Sequence, residues 1–276
     1  MHTTDSTHLP HPTHPSHCII IPSYNSGRML KSTLEAVLAL GYKVFTVTDG
    51  STDGSDLFLN TPPFKSNALL QVIRLPENRG KGAAAMAGMQ AAEKDGFSHA
   101  VLFDSDGQHA VGDIKKIVAI SVAHPECMIL GTPIFGADAP PERVYARRLA
   151  NWFTNVSARG TFIADSLFGF RVYPIRHTLA ALNETKHGRA FDFETQAAVR
   201  LSWRGVRTIN FPTRVTYPER GDGGVSHFHY LRDNALLVRT HASLLFHAFL
   251  STRFSSRPLQ TSSEGVAQQL RSWPTA

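Results

Sequence analysis

The chain has 276 residues, 42% of them hydrophobic and 18% charged. That balance excludes a disordered polymer, and no run approaches the roughly 20 apolar residues that a membrane-crossing helix needs. Lysine and arginine number 28 against 22 acidic residues, a net charge of +6, so the favoured partners are anionic: phosphorylated small molecules, an anionic membrane surface or nucleic acid.

The first 17 residues have no apolar centre and are not a signal peptide. His8, His11, His14 and His17 recur at intervals of three. Polyproline II geometry would align such rings toward a transition metal, but the plainer reading is a disordered leader over 1–17. From Cys18 the pattern alternates. Cys18–Ile21 reads as a strand, Gly27–Leu40 as a helix and Lys43–Val47 as a strand. Leu70–Arg74 is a strand, Gly82–Lys94 an Ala-rich helix and His99–Phe103 a strand. Asp113–Ala123 is a helix and Cys127–Leu130 a strand. This order implies a mostly parallel sheet flanked by helices, with ligands bound beyond the carboxyl ends of its strands. Further on, a loop over Gly136–Pro141 leads to a helix over Glu142–Ala158 and a strand-like run over Leu167–Val172. A helix over Phe191–Trp203, a strand over Val206–Phe211, a glycine-rich loop and a helix over Tyr230–Leu250 follow. In that last helix Leu231, Ala235, Val238, Ala242, Leu245 and Phe249 share one apolar face. The segment 251–276 reads as a loosely ordered tail. Cys18 and Cys127 lie in apolar runs and read as core thiols of a reducing compartment.

Unusual polar residues gather at three strand ends. Pro22, Tyr24 and Asn25 follow the first strand; an aromatic beside an amide could stack on and bond a nucleobase, or the turn could serve only to start a helix. Asp49 and Asp53, among glycines, follow the second strand and could cap a helix or accept from a base or ribose. Asp104, Asp106 and Gln108 follow the fourth. Two carboxylates two residues apart with an amide oxygen form an all-oxygen set suited to Mg2+ or Mn2+, with substrate phosphates completing the octahedron. Between them, "RGKGAAA" contains G-x-G-x-x-A at a helix start, with Asp104 near the distance at which a dinucleotide fold places its acidic residue. That leaves an NAD(P)-binding oxidoreductase as the competing reading. Its glycines, however, come one strand–helix unit too late.

The segments "IIIPSYN", "DGSTDGS", "NRGKGAAAMAG", "FDSDGQH", "DSLFGFRVY" and "GGVSHF", in this order from about Cys18 to Phe249, resemble family 2 glycosyltransferases of the GT-A fold. The likeness is to polyprenol-phosphate sugar synthases and related lipid-modifying enzymes. It implies one α/β GT-A domain over 18–250, with a nucleotide-sugar half (18–130) and an acceptor half (131–250). It also implies a UDP- or GDP-linked donor, a lipid-linked acceptor, inversion at the anomeric carbon and a divalent metal. Carried over by motif, Pro22, Tyr24, Asn25 and Asp49 surround the base, Lys81 lies near base or ribose, and Asp104 meets ribose or metal. Asp106, with Gln108, holds the metal. Arg171, Arg220 and His227 are candidate contacts to pyrophosphate or a phosphorylated acceptor. Asp165, Asp192 and Glu194 are candidate bases, and a phosphate acceptor would need none. Ser26 and Thr48 stand where the family pattern has acids, so a catalytically silent nucleotide-sugar-binding protein is a further reading. The resemblance implies no nucleic-acid partner. It implies a cytoplasmic protein at the inner face of the membrane. The run "ASLLFHAFL", too short to span and flanked by Arg232, Arg239 and Arg253, could lie in an anionic interface through 230–250, but the plainer reading is that this helix packs its apolar stripe on the core.

Overall fold

A computed structural model describes residues 16–134, 141–215 and 230–251, with backbone only at 141–145, 230–232, 234 and 251. The elements run β1 (His17–Ser23), α1 (Met29–Leu38), β2 (Val44–Asp49), β3 (Leu70–Leu75), α2 (Lys81–Lys94), β4 (His99–Leu102) and α3 (Asp113–Ala123). There follow β5 (Cys127–Ile134), α4 (Pro141–Ala158), β6 (Arg171–Pro174), α5 (Ile175–Asn183), α6 (Phe193–Trp203), β7 (Arg207–Arg214) and α7 (Tyr230–Ser251). The strands form one seven-stranded sheet in the order β3-β2-β1-β4-β6-β5-β7. All pairings are parallel except those of β6, which runs antiparallel to both β4 and β5.

Strand residues divide by parity between two cores. Cys18, Ile20, Ala100, Leu102, Met128 and Leu130 face one side, while Ile19, Ile21, Val101, Phe103, Cys127 and Ile129 face the other. Successive side chains of a strand point to opposite faces, so a continuous apolar run such as "CIII" is what a sheet covered on both sides requires. Both cysteines are buried and unpaired, in keeping with core thiols.

Helix α2 is held unusually near the sheet. Gly88 packs against Ile20 and Val47, and a Cβ there would come within 2.6 Å of the Ile20 side chain. The small residues Gly82, Ala84, Ala85, Gly88 and Ala92 form its buried face. Close packing of this kind sets where the first residue of the helix, Lys81, is delivered: beside the carboxyl end of β4.

Three expectations need correction. The strand proposed for Leu167–Val172 begins only at Arg171. Before it, the Asp165 carboxylate accepts the Leu167 and Phe168 backbone N–H groups and curls the chain away from the sheet. Helix α5 was not anticipated, although Ile175, Leu179 and Leu182 are spaced for one buried stripe. In α7 the stripe assigned to the core faces outward. Val238 is 69% and Phe249 67% exposed, whereas Asp233, Thr240, His241, Leu244 and Ala248 are buried. Polar groups reach the inside because they find partners there, as Thr240 does by donating to the Asp192 carboxylate at 3.3 Å; periodicity of apolar residues alone cannot see this.

His241 lies buried against the Phe153 ring of α4, 5.7 Å between centroids, and neither ring nitrogen has a hydrogen-bond partner among the described residues. Burial holds its pKa below the ordinary 6.5. A depressed histidine pKa means that the unfolded chain binds the proton more readily, so stability is complete above pH ~6.5 and falls as pH drops below it. Changing His241→Phe should flatten urea-unfolding stability between pH 7.5 and 5; an unchanged slope would show that His241 does not titrate on unfolding.

Candidate active site

The carboxyl ends of β1, β2 and β4 are joined by hydrogen bonds into one polar floor. At the end of β1, Asn25 adopts φ 45°, a left-handed conformation that asparagine tolerates better than most residues. Its side-chain oxygen accepts the Thr52 and Asp53 N–H groups at 2.8 and 3.3 Å, and its own N–H donates to Ser51 Oγ at 3.1 Å. Asn25 thus fastens the β2 loop to β1. Asp49, buried at the end of β2, accepts the N–H groups of Arg79 and Gly80, both at 2.8 Å. Gly80 takes φ 94°, a conformation open to glycine, and this turn aims α2 at β4. Pro22 is buried in β1 and Tyr24 half-buried just beyond it. Ser26, in place of the expected acid, bonds Ser23 and Ser105 through hydroxyl contacts of 2.9 Å each, linking the ends of β1 and β4. Thr48, the other substituted position, is buried.

At the centre Lys81 Nζ lies 2.7 Å from Asp104 Oδ1 and 2.6 Å from Glu194 Oε1. Asp104 Oδ2 faces His109 Nε2 at 3.2 Å. His109 is itself enclosed by the Phe103, Phe168 and Phe170 rings. Burial opposes the charge on Asp104, yet Lys81 and His109 outweigh it and hold the carboxyl well below the usual range. Burial likewise opposes the Lys81 charge, and the flanking carboxylates hold the ammonium protonated. Gly169 makes this pairing possible. A Cβ at that position would collide with Asp104 Oδ2 and lie 2.6 Å from Lys81 Nζ.

Asp106 differs from Asp104. Burial first, and the Asp104 charge second, push its pKa up, and among the described residues it forms no ion pair. Its Oδ1 accepts the Gln108 N–H at 3.0 Å. A carboxylate with its charge disfavoured and an amide oxygen two residues away is the environment that a hard divalent cation relieves. Among the described residues no cluster of three or more His, Cys, Asp or Glu side chains forms a metal cage. Asp106 and Gln108, with Asp104, therefore fit a cation that takes part of its shell from substrate oxygens.

The other sequence candidates separate. Glu194 joins the central cluster. Asp192 lies near it but its carboxylate accepts from Gly188 N–H at 2.8 Å, Ala190 N–H at 3.2 Å and Thr240 Oγ1 at 3.3 Å. Asp165 accepts two backbone N–H groups and pairs with Arg147 at 3.3 Å. Arg171 is a correction: it is fully buried, with its guanidinium donating to the carbonyls of Phe168, Glu194 and Asp165 and to the Tyr173 hydroxyl. It stabilises the turn before β6 and has no donor turned toward a phosphate. Arg220 and His227 lie outside the described residues. Sequence reasoning missed His109, Ser105 and Gly169. The signals existed, since His109 closes "FDSDGQH" and Gly169 lies within "FGFRVY", but their roles depend on which strand lies beside β4.

Among the described residues Lys81 alone bridges the end of β4 to α6 in this ion cluster, and removing one partner of a buried ionic group costs about 3–5 kcal/mol. Lys81→Met should reduce stability by about that amount in urea unfolding at neutral pH. A loss below about 1 kcal/mol would put the cluster in the class of solvent-screened pairs. Gly169→Ala should also destabilise, through displacement of Asp104, by roughly 1–3 kcal/mol as overpacking does; equal stability of variant and parent would contradict the close approach.

The family model for "Glycosyl transferase family 2" matches residues 18–188. Among curated proteins the chain is 24% identical to the UDP-N-acetylglucosamine–dolichyl-phosphate N-acetylglucosaminyltransferase of Methanococcus voltae, covering 73% of this chain and 86% of the relative. It is 24% identical to the polyprenol monophosphomannose synthase of Mycolicibacterium smegmatis, covering 73% and 77%. Among solved structures it is similar to glucosyl-3-phosphoglycerate synthase from Mycobacterium tuberculosis in complex with Mn2+, UDP-glucose and phosphoglyceric acid. The TM-score is 0.58 at 13% identity, over 85% of this chain and 79% of that one. With the match taking in β1 to β6 and the polar strand ends, the dinucleotide-oxidoreductase reading of "RGKGAAA" falls away: the chain belongs to glycosyl transferase family 2.

Proposed function

We propose that this enzyme transfers a sugar from a UDP- or GDP-linked donor to a polyprenyl-phosphate-type lipid acceptor, with inversion and with Mg2+ or Mn2+ as cofactor. The observation that carries the reading is Asp106. At the end of β4 it is a carboxylate without an ion-pair partner among the described residues, beside an Asp104 whose charge is already compensated. The Mn2+ and UDP-glucose bound by the structural neighbour, and the lipid phosphates named for the relatives, support the same assignment.

Asp106 and Gln108, with Asp104, would hold the cation, which supplies Lewis-acid stabilisation of the diphosphate leaving group. The chain's own part is positioning and charge. Pro22 and Tyr24 form one wall of the nucleotide site. Asn25 and Asp49 keep its loops in place from beneath, a more indirect role than contact with the base. Lys81 compensates Asp104 and orients Glu194. Outside the described residues, Arg220 and His227 remain the candidates to meet pyrophosphate or the acceptor phosphate. Acceptor chemistry follows from the state of the acids. Asp165 and Asp192 have their oxygens in structural bonds, and Glu194 is ion-paired with Lys81. A phosphate nucleophile is already anionic and requires no proton removed, which favours a lipid phosphate over a sugar hydroxyl. In this reading 18–130 bind the donor and 131–250 the acceptor, with 1–17 and 251–276 outside the catalytic domain, and the enzyme works at the cytoplasmic face of the membrane.

The test is a thermal-shift panel of UDP-, GDP- and dTDP-sugars with and without Mn2+, followed by transfer to a short-chain polyprenyl phosphate. One nucleotide class should raise the melting temperature by mass action, and only with Mn2+ to the full extent. Asp106→Asn should abolish the Mn2+-dependent part and lower kcat by roughly 100-fold or more, the scale of lost transition-state charge stabilisation. Glu194→Gln should retain transfer to a phosphate acceptor; complete loss of turnover in a folded Glu194→Gln enzyme would favour Glu194 as base for a hydroxyl acceptor.

A further inference from the structure

Helices α4 and α7 pack against each other and both pack on α6, and each leaves a far side in solvent. Those far sides are apolar. On α4, Leu149 is 53%, Trp152 60% and Val156 49% exposed, at i, i+3 and i+7 on one stripe. On α7, Val238 is 69%, Phe246 62%, Phe249 67% and Leu250 45% exposed, opposite the inward stripe of Thr240, Leu244 and Ala248. A soluble monomer rarely leaves so many large side chains together in water. The charges among them have one sign. Arg148 and Arg239 are exposed, and no described side chain of α4 or α7 is an exposed carboxylate, since Asp233 is buried.

We propose that the outward α4–α7 face docks on an anionic lipid bilayer, with the aromatic and aliphatic side chains entering the headgroup–acyl boundary and Arg148 and Arg239 meeting lipid phosphates. The proposal deepens the function above and rests on its lipid-linked acceptor. It extends the contact expected of 230–250 to a second helix and places it on particular residues. Charge decides among occupants. A second copy across a two-fold axis would bring basic faces together with no acid among the described residues of α4 and α7 to compensate them. The segment 252–276 carries Arg253, Arg257 and Arg271 against Glu264 alone, so it too is repelled. A bilayer rich in acidic lipid complements both properties of the face. The same helices reach the site from their inner sides: Arg147 of α4 pairs with Asp165, and Thr240 of α7 donates to Asp192. Docking would thereby bring the acceptor half of the enzyme to the lipid phase.

The experiment is flotation of the full chain with phosphatidylglycerol-containing and with pure phosphatidylcholine vesicles. The wild type should float with the anionic vesicles, and Trp152→Glu and Phe246→Glu should each lower the bound fraction by about tenfold, since each places a charge in the apolar layer. Both positions are exposed, so melting temperature and turnover on a short-chain acceptor without vesicles should stay at wild-type values. Wild-type protein left at the bottom of the gradient overturns the proposal, and so do variants that float as well as the parent. A dimer in sedimentation that Phe246→Glu dissociates, with no vesicle uptake, assigns the face to a second copy and overturns it as well. Full flotation without transfer to the short-chain acceptor supports the docking face and counts against the proposed acceptor instead.

Discussion

One largely enclosed cation organises this protein. The Lys81 ammonium, delivered by the first turn of α2, sits between Asp104 at the end of β4 and Glu194 in the first turn of α6. Without it, two carboxylates would share a desolvated space, and mutual repulsion would open the site or force one to take a proton. With it, the end of β4 and the first turn of α6 are held at a fixed distance.

Everything around that cation is arranged to let it be there. The glycine and alanine face of α2 lets the helix lie close on β1, which puts Lys81 at the depth of the β4 end. Asp49 holds the turn ahead of it through the Arg79 and Gly80 N–H groups. Gly169 leaves room where a methyl group would strike Asp104. Arg171, wholly inside, bonds three carbonyls and keeps the chain before β6 in the shape that Gly169 needs. A residue expected to meet phosphate thus acts on the backbone instead.

The cluster also divides the labour between neighbouring aspartates. Asp104 is electrically satisfied by Lys81 and His109, while Asp106 has no ion-pair partner among the described residues and its charge is disfavoured by burial. Two residues of the same type, separated by one serine, differ because one lies under a helix start and the other does not. The elements α4 and α7 serve two surfaces in the same way: inward polar groups tie down Asp165 and Asp192, and outward apolar groups face away from the core.

Local pattern carried most of the fold. Apolar runs of strand length, glycines at turns and the order of elements define a two-sided, mostly parallel sheet, and polar residues gather at three of its strand ends. These features are legible because each depends on a few adjacent residues. What adjacent residues cannot encode is which distant groups meet. The antiparallel insertion of β6 beside β4 decides that Gly169 touches Asp104, and the partner of Thr240 decides which stripe of α7 is inside. Buried polar groups are stabilised only by partners far away in the chain. The sequence alone determined the family of sheet and the edge at which its polar residues gather. Tertiary structure alone decided which acids are free to act, because the ion pairs and hydrogen bonds that occupy the others form only when the chain is folded.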